Sequence, residues 1–193
     1  MIPSFNQLLS GLSFAFSLLR GRSFELIKSQ VNIDPLGLWQ VLFVTCVISI
    51  LAKLTIFKIA IANALPIRMI LATIPLMVIE LSLFTFFVFY LLIILKRQNY
   101  FYNFMISFLW LVTLQSSLVL LISVLLWALP SIALIVALVG AVVSIQILIV
   151  QFKIAKQLLD VSSLIAIAIV FGNIIVGLLV GLLDQFSYGF FAG

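Results

Sequence analysis

The sequence predicts an all-α membrane protein: five transmembrane helices preceded by an amphipathic helix lying in the membrane interface. Three observations carry this. Of 193 residues, 66% are hydrophobic and 8% charged, where a soluble domain has about 25% charged, so little of the chain belongs outside a bilayer. Five apolar runs follow one another, each long enough to cross about 30 Å of hydrocarbon. Basic residues gather at alternate connections, the pattern of the positive-inside rule.

Two units follow: an interfacial helix with its linker over 1–33, and a five-helix bundle over 34–193. In the first, Ser4 after Pro3 reads as an N-cap, and Phe5, Leu8, Leu9, Leu12, Phe16 and Leu19 recur at helical spacing. Asn6, Gln7, Ser10, Ser13 and Ser17 occupy the rest of the cylinder. Such a helix lies on the membrane or packs against its own bundle. Phe14, Ala15 and Leu18 widen the apolar face toward the second alternative. The segment lacks the continuous apolar core and small-residue cleavage site of a signal peptide.

Asp34-Pro35 reads as a helix start, with Asp as N-cap and Pro at the first position, where its missing N–H costs nothing. The spans are expected at about 38–57, 69–95, 104–127, 132–150 and 161–183. Trp39 suits the interfacial belt of the first span, and Lys53, near its far end, can snorkel outward. A connection holding Asn63 and Pro66 leads to the second span, roughly 40 Å as a helix at about 1.5 Å per residue. Pro75 lacks the N–H for an i−4 bond, which predicts a kink. Lys96-Arg97 ends this span, and Gln98 to Asn103 is an aromatic-polar stretch fit for the headgroup level. Pro130 stops the third span. Gln151 to Gln157 returns the fourth to the basic side, and a short tail with Asp184 and four aromatics follows the fifth.

Five spans place the termini on opposite sides. Arg20, Arg22, Lys28, Lys96, Arg97, Lys153 and Lys156 fall on one side, where they suit anionic lipid headgroups; Lys53, Lys58 and Arg68 fall on the other. Seven against three predicts a bacterial inner-membrane protein with its N-terminus in the cytoplasm and its C-terminus external. The formal charge of +5 is explained in this way, and no nucleic-acid partner is expected.

The candidate site is a set of polar residues at mid-depth: Glu80, Gln115, Gln146 and Asn173, each within one or two turns of the membrane centre, with Ser116, Ser117 and Ser144 nearby. A charged residue at a helix centre costs about 2.5–3.5 kcal/mol on insertion scales, so Glu80 should face protein or water. One reading is a path for protons or a polar solute. The other is a structural tie, with a neutral Glu80 bonded to one of the amides or reaching toward Lys53. The structural reading assumes less, because no second acid lies at this depth. Helix packing is expected at Gly140 and Ser144 in the fourth span and at the Gly177–Gly181 GxxxG of the fifth. With no His, one Cys (Cys46, inside an apolar run) and no nucleophile with a base, neither an enzyme, a metal site nor a cofactor is expected.

Four stretches carry a resemblance: Met1-Ile2-Pro3 before the amphipathic start; Pro35 to Trp39 entering the first span; Tyr100 to Trp110 after the basic pair; and Gln151 to Asp160 before the last span. In these and in its layout the chain resembles the Yip-type family of small five-span membrane proteins, most of all short proteobacterial inner-membrane members. The cytosolic Asp-Leu-Tyr-Gly-Pro segment of the eukaryotic members has no counterpart here. The resemblance implies a non-catalytic adaptor or accessory subunit whose partners are the lipid bilayer and other integral membrane proteins. The alternative expectation is a small proton- or polar-solute-conducting protein using Glu80.

Overall fold

A computed structural model describes residues 3–60, 66–129, 131 and 133–191, with side chains left undescribed at 56–60, 66–73, 137 and 184–191. Met1, Ile2, Asn63 and Pro130, named above, and residue 132, where the fourth span is expected to begin, lie outside the described residues. The elements are α1 (Phe5–Leu19), α2 (Phe24–Ile27), α3 (Pro35–Ala60), α4 (Pro66–Ile94), α5 (Phe101–Ala128), α6 (Ala133–Leu158) and α7 (Ser163–Phe191). Among the described residues there is no strand. Helices α3 to α7 are each long and apolar enough to cross a membrane, and the protein is a multi-pass membrane protein.

The helices overrun the apolar runs that announced them. α3 begins at Pro35, three residues before its expected span, and α7 continues to Phe191, eight residues past its own. Hydropathy marks where hydrocarbon is met, whereas a helix ends where its hydrogen bonds end. At the start of α3 the Gly37 N–H donates to Asp34 Oδ1 at 2.5 Å, the side-chain cap that the Asp-Pro pair predicts. Pro75 lies inside α4, which runs through it as one continuous element.

The five spans close into a ring in which α3 packs on α5, α5 on α6, α6 on α7, α7 on α4 and α4 back on α3. The main partner of α3 is therefore two spans further along the chain. Apolar packing fills one end of this ring, the end that carries the seven basic residues. Phe84, Val88 and Leu92 of α4 meet Phe101, Phe104, Phe108 and Leu111 of α5, with Val41, Val44, Ile154, Ala155, Ala166 and Ile169 completing the cluster. The Phe108 ring lies 4.5 Å from that of Phe84 and 5.7 Å from that of Phe104, centroid to centroid. This cluster is a plug.

α1 has two apolar faces. Ser4 and Gln7 form a capping box: the Ser4 hydroxyl accepts from the Gln7 N–H at 3.3 Å, and Gln7 Oε1 accepts from the Ser4 N–H at 2.8 Å. One face buries Gly11, Phe14, Ala15 and Leu18 against the bundle, chiefly α5. There the Trp110 ring lies directly over Gly11, so close that a β-carbon on residue 11 would fall 2.0 Å from it. Phe5 (72%), Leu9 (52%) and Phe16 (49%) remain exposed on the other face. Packing and an outward apolar face are thus both present, on opposite sides of one cylinder.

Three helix ends at the basic side use the same turn. After α1, α4 and α6 the chain passes through a left-handed residue: Gly21 (φ 80°), Lys96 (φ 56°) and Asp160 (φ 48°). The next N–H then donates back five residues: Arg22 to Ser17 O, Arg97 to Leu92 O and Val161 to Lys156 O. These are Schellman closures, which satisfy carbonyls the helix would otherwise leave open. The last two turns are clasped to each other, because Arg97 Nη1 lies 2.7 Å from Asp160 Oδ2 and also donates to Leu159 O at 3.4 Å.

Candidate functional site

Beyond the plug lies a half-open cavity of about 430 Å³ to which all five spans contribute. α3 supplies Thr45, Ser49, Ala52 and Lys53; α4 supplies Met77, Glu80 and Leu81; α5 supplies Val112, Gln115, Ser116 and Val119. α6 adds Leu148 and Gln151, and α7 adds Asn173, Ile174 and Gly177. The segregation repeats from helix to helix. On α3, α4, α5 and α7 the cavity residues sit further from the basic end than the plug residues, and on α6 the two sets meet at Val150 and Gln151.

Three of the four mid-depth polar residues, Glu80, Gln115 and Asn173, line this one space. Gln146 does not. It is exposed on α6, and Gln151 takes the inward position instead. The five residues from Gln146 to Gln151 turn the helix by about 140° beyond a full revolution, so the two amides lie on different faces of α6. Gln151 is 1% exposed, and its Oε1 has no hydrogen-bond partner among the described residues. A buried acceptor left without a donor costs about 1–3 kcal/mol, which favours an occupant bearing an N–H or O–H.

Glu80 is half-buried beside α7. A β-carbon on Gly177 would lie 3.5 Å from Glu80 Oε1, an ordinary van der Waals contact, so the first glycine of the GxxxG faces the carboxylate without being required by it. The second, Gly181, is exposed with nothing within 4 Å. Gly140 packs on Ile122, with 3.3 Å from its would-be β-carbon, and Ser144 is half-buried on the same helix. Gly172 is a closer contact than any of these three glycines, since a β-carbon there would meet the Phe87 ring at 2.6 Å.

Hydroxyls tie α3 to α5 along one wall. Thr45 and Thr113 are 2.7 Å apart, and Ser49 and Ser116 are likewise 2.7 Å apart. Thr45 and Thr113 also reach their own helix carbonyls, Val41 O at 2.7 Å and Leu109 O at 2.8 Å. Interhelical bonds of this kind contribute about 0.6–2 kcal/mol each. Sequence reading left Thr45, Ser49 and Thr113 aside and placed Gln151 at the surface. The available signal was a polar stripe at spacing four, Thr45-Ser49-Lys53, which marks one helix face.

The basic residues expected at lipid headgroups divide into two groups. Lys28 pairs with Glu25, Arg97 with Asp160, and the Arg20 guanidinium stacks over the Phe16 ring at 4.5 Å. Arg22, Lys96, Lys153 and Lys156 are exposed at the same end. Comparisons with protein families, curated proteins and solved structures found no match to the chain.

Proposed function

We propose that this protein binds a proton or small polar solute at Glu80 and conducts it across the membrane without catalysing a reaction. One observation carries the reading: all five helices contribute to one half-open space, lined by Glu80, Lys53 and the three amide residues Gln115, Gln151 and Asn173 among apolar side chains. Its volume lies within the range of about 300–1,000 Å³ usual for small-molecule sites. The plug blocks the direct way to the basic end, so the occupant arrives from the opposite end and passes onward only when the helices around Phe84 and Phe108 move. In proteoliposomes with an imposed pH gradient and an entrapped pH-sensitive dye, the parent protein should give a flux that Glu80→Gln lowers at least tenfold. Retained helicity and an unchanged size-exclusion profile would show the variant to be folded. No flux above protein-free vesicles, or a Glu80→Gln flux equal to that of the parent, overturns the reading.

The adaptor reading implied by the Yip-type resemblance draws support from Gly181, the small residue left facing open space. Gly140, Gly172 and Gly177 are taken up inside the bundle, which narrows the surface available for such docking. Stoichiometric co-purification of another membrane protein after mild solubilisation would favour this reading; a partner-free monomer from native membranes would count against it. For orientation we propose the basic end at the cytoplasm of a bacterial inner membrane. Reporter fusions at Gln98 should then read cytoplasmic and fusions at Gly193 external; an external signal at Gln98 reverses the assignment.

A further inference from the structure

Leu81 borders two spaces of opposite character. On one side is the central cavity, whose lining includes Lys53 and Glu80. On the other is a groove of about 540 Å³ between α3 and α4, lined by Trp39, Phe43, Phe86 and Phe89 and reaching Phe101 and Tyr102 at the basic end. The groove shares Phe101 with the plug, so an occupant of the cavity that extends toward the basic end meets packed side chains on the axis and a single side chain, Leu81, before the groove. A space lined by residues of both charge signs, separated by one leucine from an apolar trough, matches a molecule with a zwitterionic head and a hydrocarbon chain.

We infer that the site takes a zwitterionic amphiphile, its head among Lys53, Glu80 and Gln151 and its chain along the α3–α4 groove, with Leu81 at the threshold. This rests on the reading of the central cavity as a binding site and names the class of occupant. The ammonium of the head meets Glu80, its anionic group meets Lys53, and its N–H donors supply what Gln151 Oε1 lacks. The chain passes Leu81 and leaves the plug intact.

Cys46 provides the test. It is the only cysteine in the chain, half-buried in the groove wall, and a chain lying there shields it. The intact protein in dodecyl maltoside is alkylated with N-ethylmaleimide, with and without lysophosphatidylethanolamine at a few mole per cent of the detergent. The zwitterionic lipid should slow alkylation at least fivefold, and a neutral monoacylglycerol of equal chain length at the same fraction should not. Lys53→Gln should remove most of the protection, and Leu81→Trp, which fills the threshold, all of it. Equal protection by the monoacylglycerol, or full protection in Lys53→Gln, overturns the inference by showing a chain in the groove with no head in the cavity. Absence of protection together with a Glu80-dependent flux also overturns it while leaving the conduction reading intact. Protection without any flux supports the inference and removes conduction.

Discussion

Phe108→Ala should lower the stability of the bundle by roughly 3 kcal/mol in a reversible denaturant titration in detergent micelles. Phe108 is 2% exposed and stacked between Phe84 and Phe104, so the deletion empties the middle of the plug. In soluble proteins a buried Phe→Ala costs about 3–5 kcal/mol, part of it the transfer of an aromatic ring from water. Helices already inserted in lipid exchange apolar packing for apolar packing, which places the expectation at the lower end of that range. The exposed Phe86 (61%) is the control, and Phe86→Ala should shift the transition by less than a third as much. Equal effects at the two positions would mean that the plug is not a close-packed unit.

Gly11→Val should detach α1 from the bundle. A would-be β-carbon lies 2.0 Å from the Trp110 ring, Trp110 itself is 6% exposed, and the void of about 50 Å³ beside it is too small to take the indole. Overpacking of a filled site costs about 1–3 kcal/mol and occasionally more, and a branched side chain against an immobile ring belongs at the top of that range. The expected signs are a large rise in protease sensitivity between residues 20 and 34 and a red shift of Trp110 fluorescence in a variant lacking Trp39 and Trp127. Gly181→Ala, with nothing within 4 Å, should be neutral or stabilise slightly through helix propensity. If Gly11→Val behaves like Gly181→Ala, α1 is held by something other than this contact.

The number and order of the spans were legible because only apolar runs of that length can cross a bilayer, and the start of α3 was legible because Asp34-Pro35 has a specific backbone meaning. Rotation about each axis was not. A soluble helix hides its apolar stripe and so displays its inner face. In α4 or α7, lipid and plug are equally apolar, and Leu83 (49% exposed) and Leu92 (0%) look alike in the sequence. Only polar and small residues mark a face there. Depth was enough to collect Glu80, Gln115 and Asn173, and it failed for Gln146, where azimuth decided. α1 could not be assigned one environment, because Phe14 and Phe16 face opposite ones two residues apart.

The pairing of α3 with α5 has a consequence for the order of synthesis. α4 emerges from the ribosome before α5, α6 and α7, so Glu80 enters the bilayer ahead of Gln115, Gln151 and Asn173. At about 5–20 residues per second, the stretch from Glu80 to Asn173 takes roughly 5 to 20 s to make. When α4 enters, the only other helix of the ring already made is α3, and the polar side chains it brings to the future cavity are Thr45, Ser49 and Lys53. The ammonium that later forms part of the cavity wall thus first serves as escort to the nascent chain. A translocon-stalled fragment ending near residue 130 should insert α4 efficiently with Lys53 present and lose much of that efficiency in Lys53→Leu.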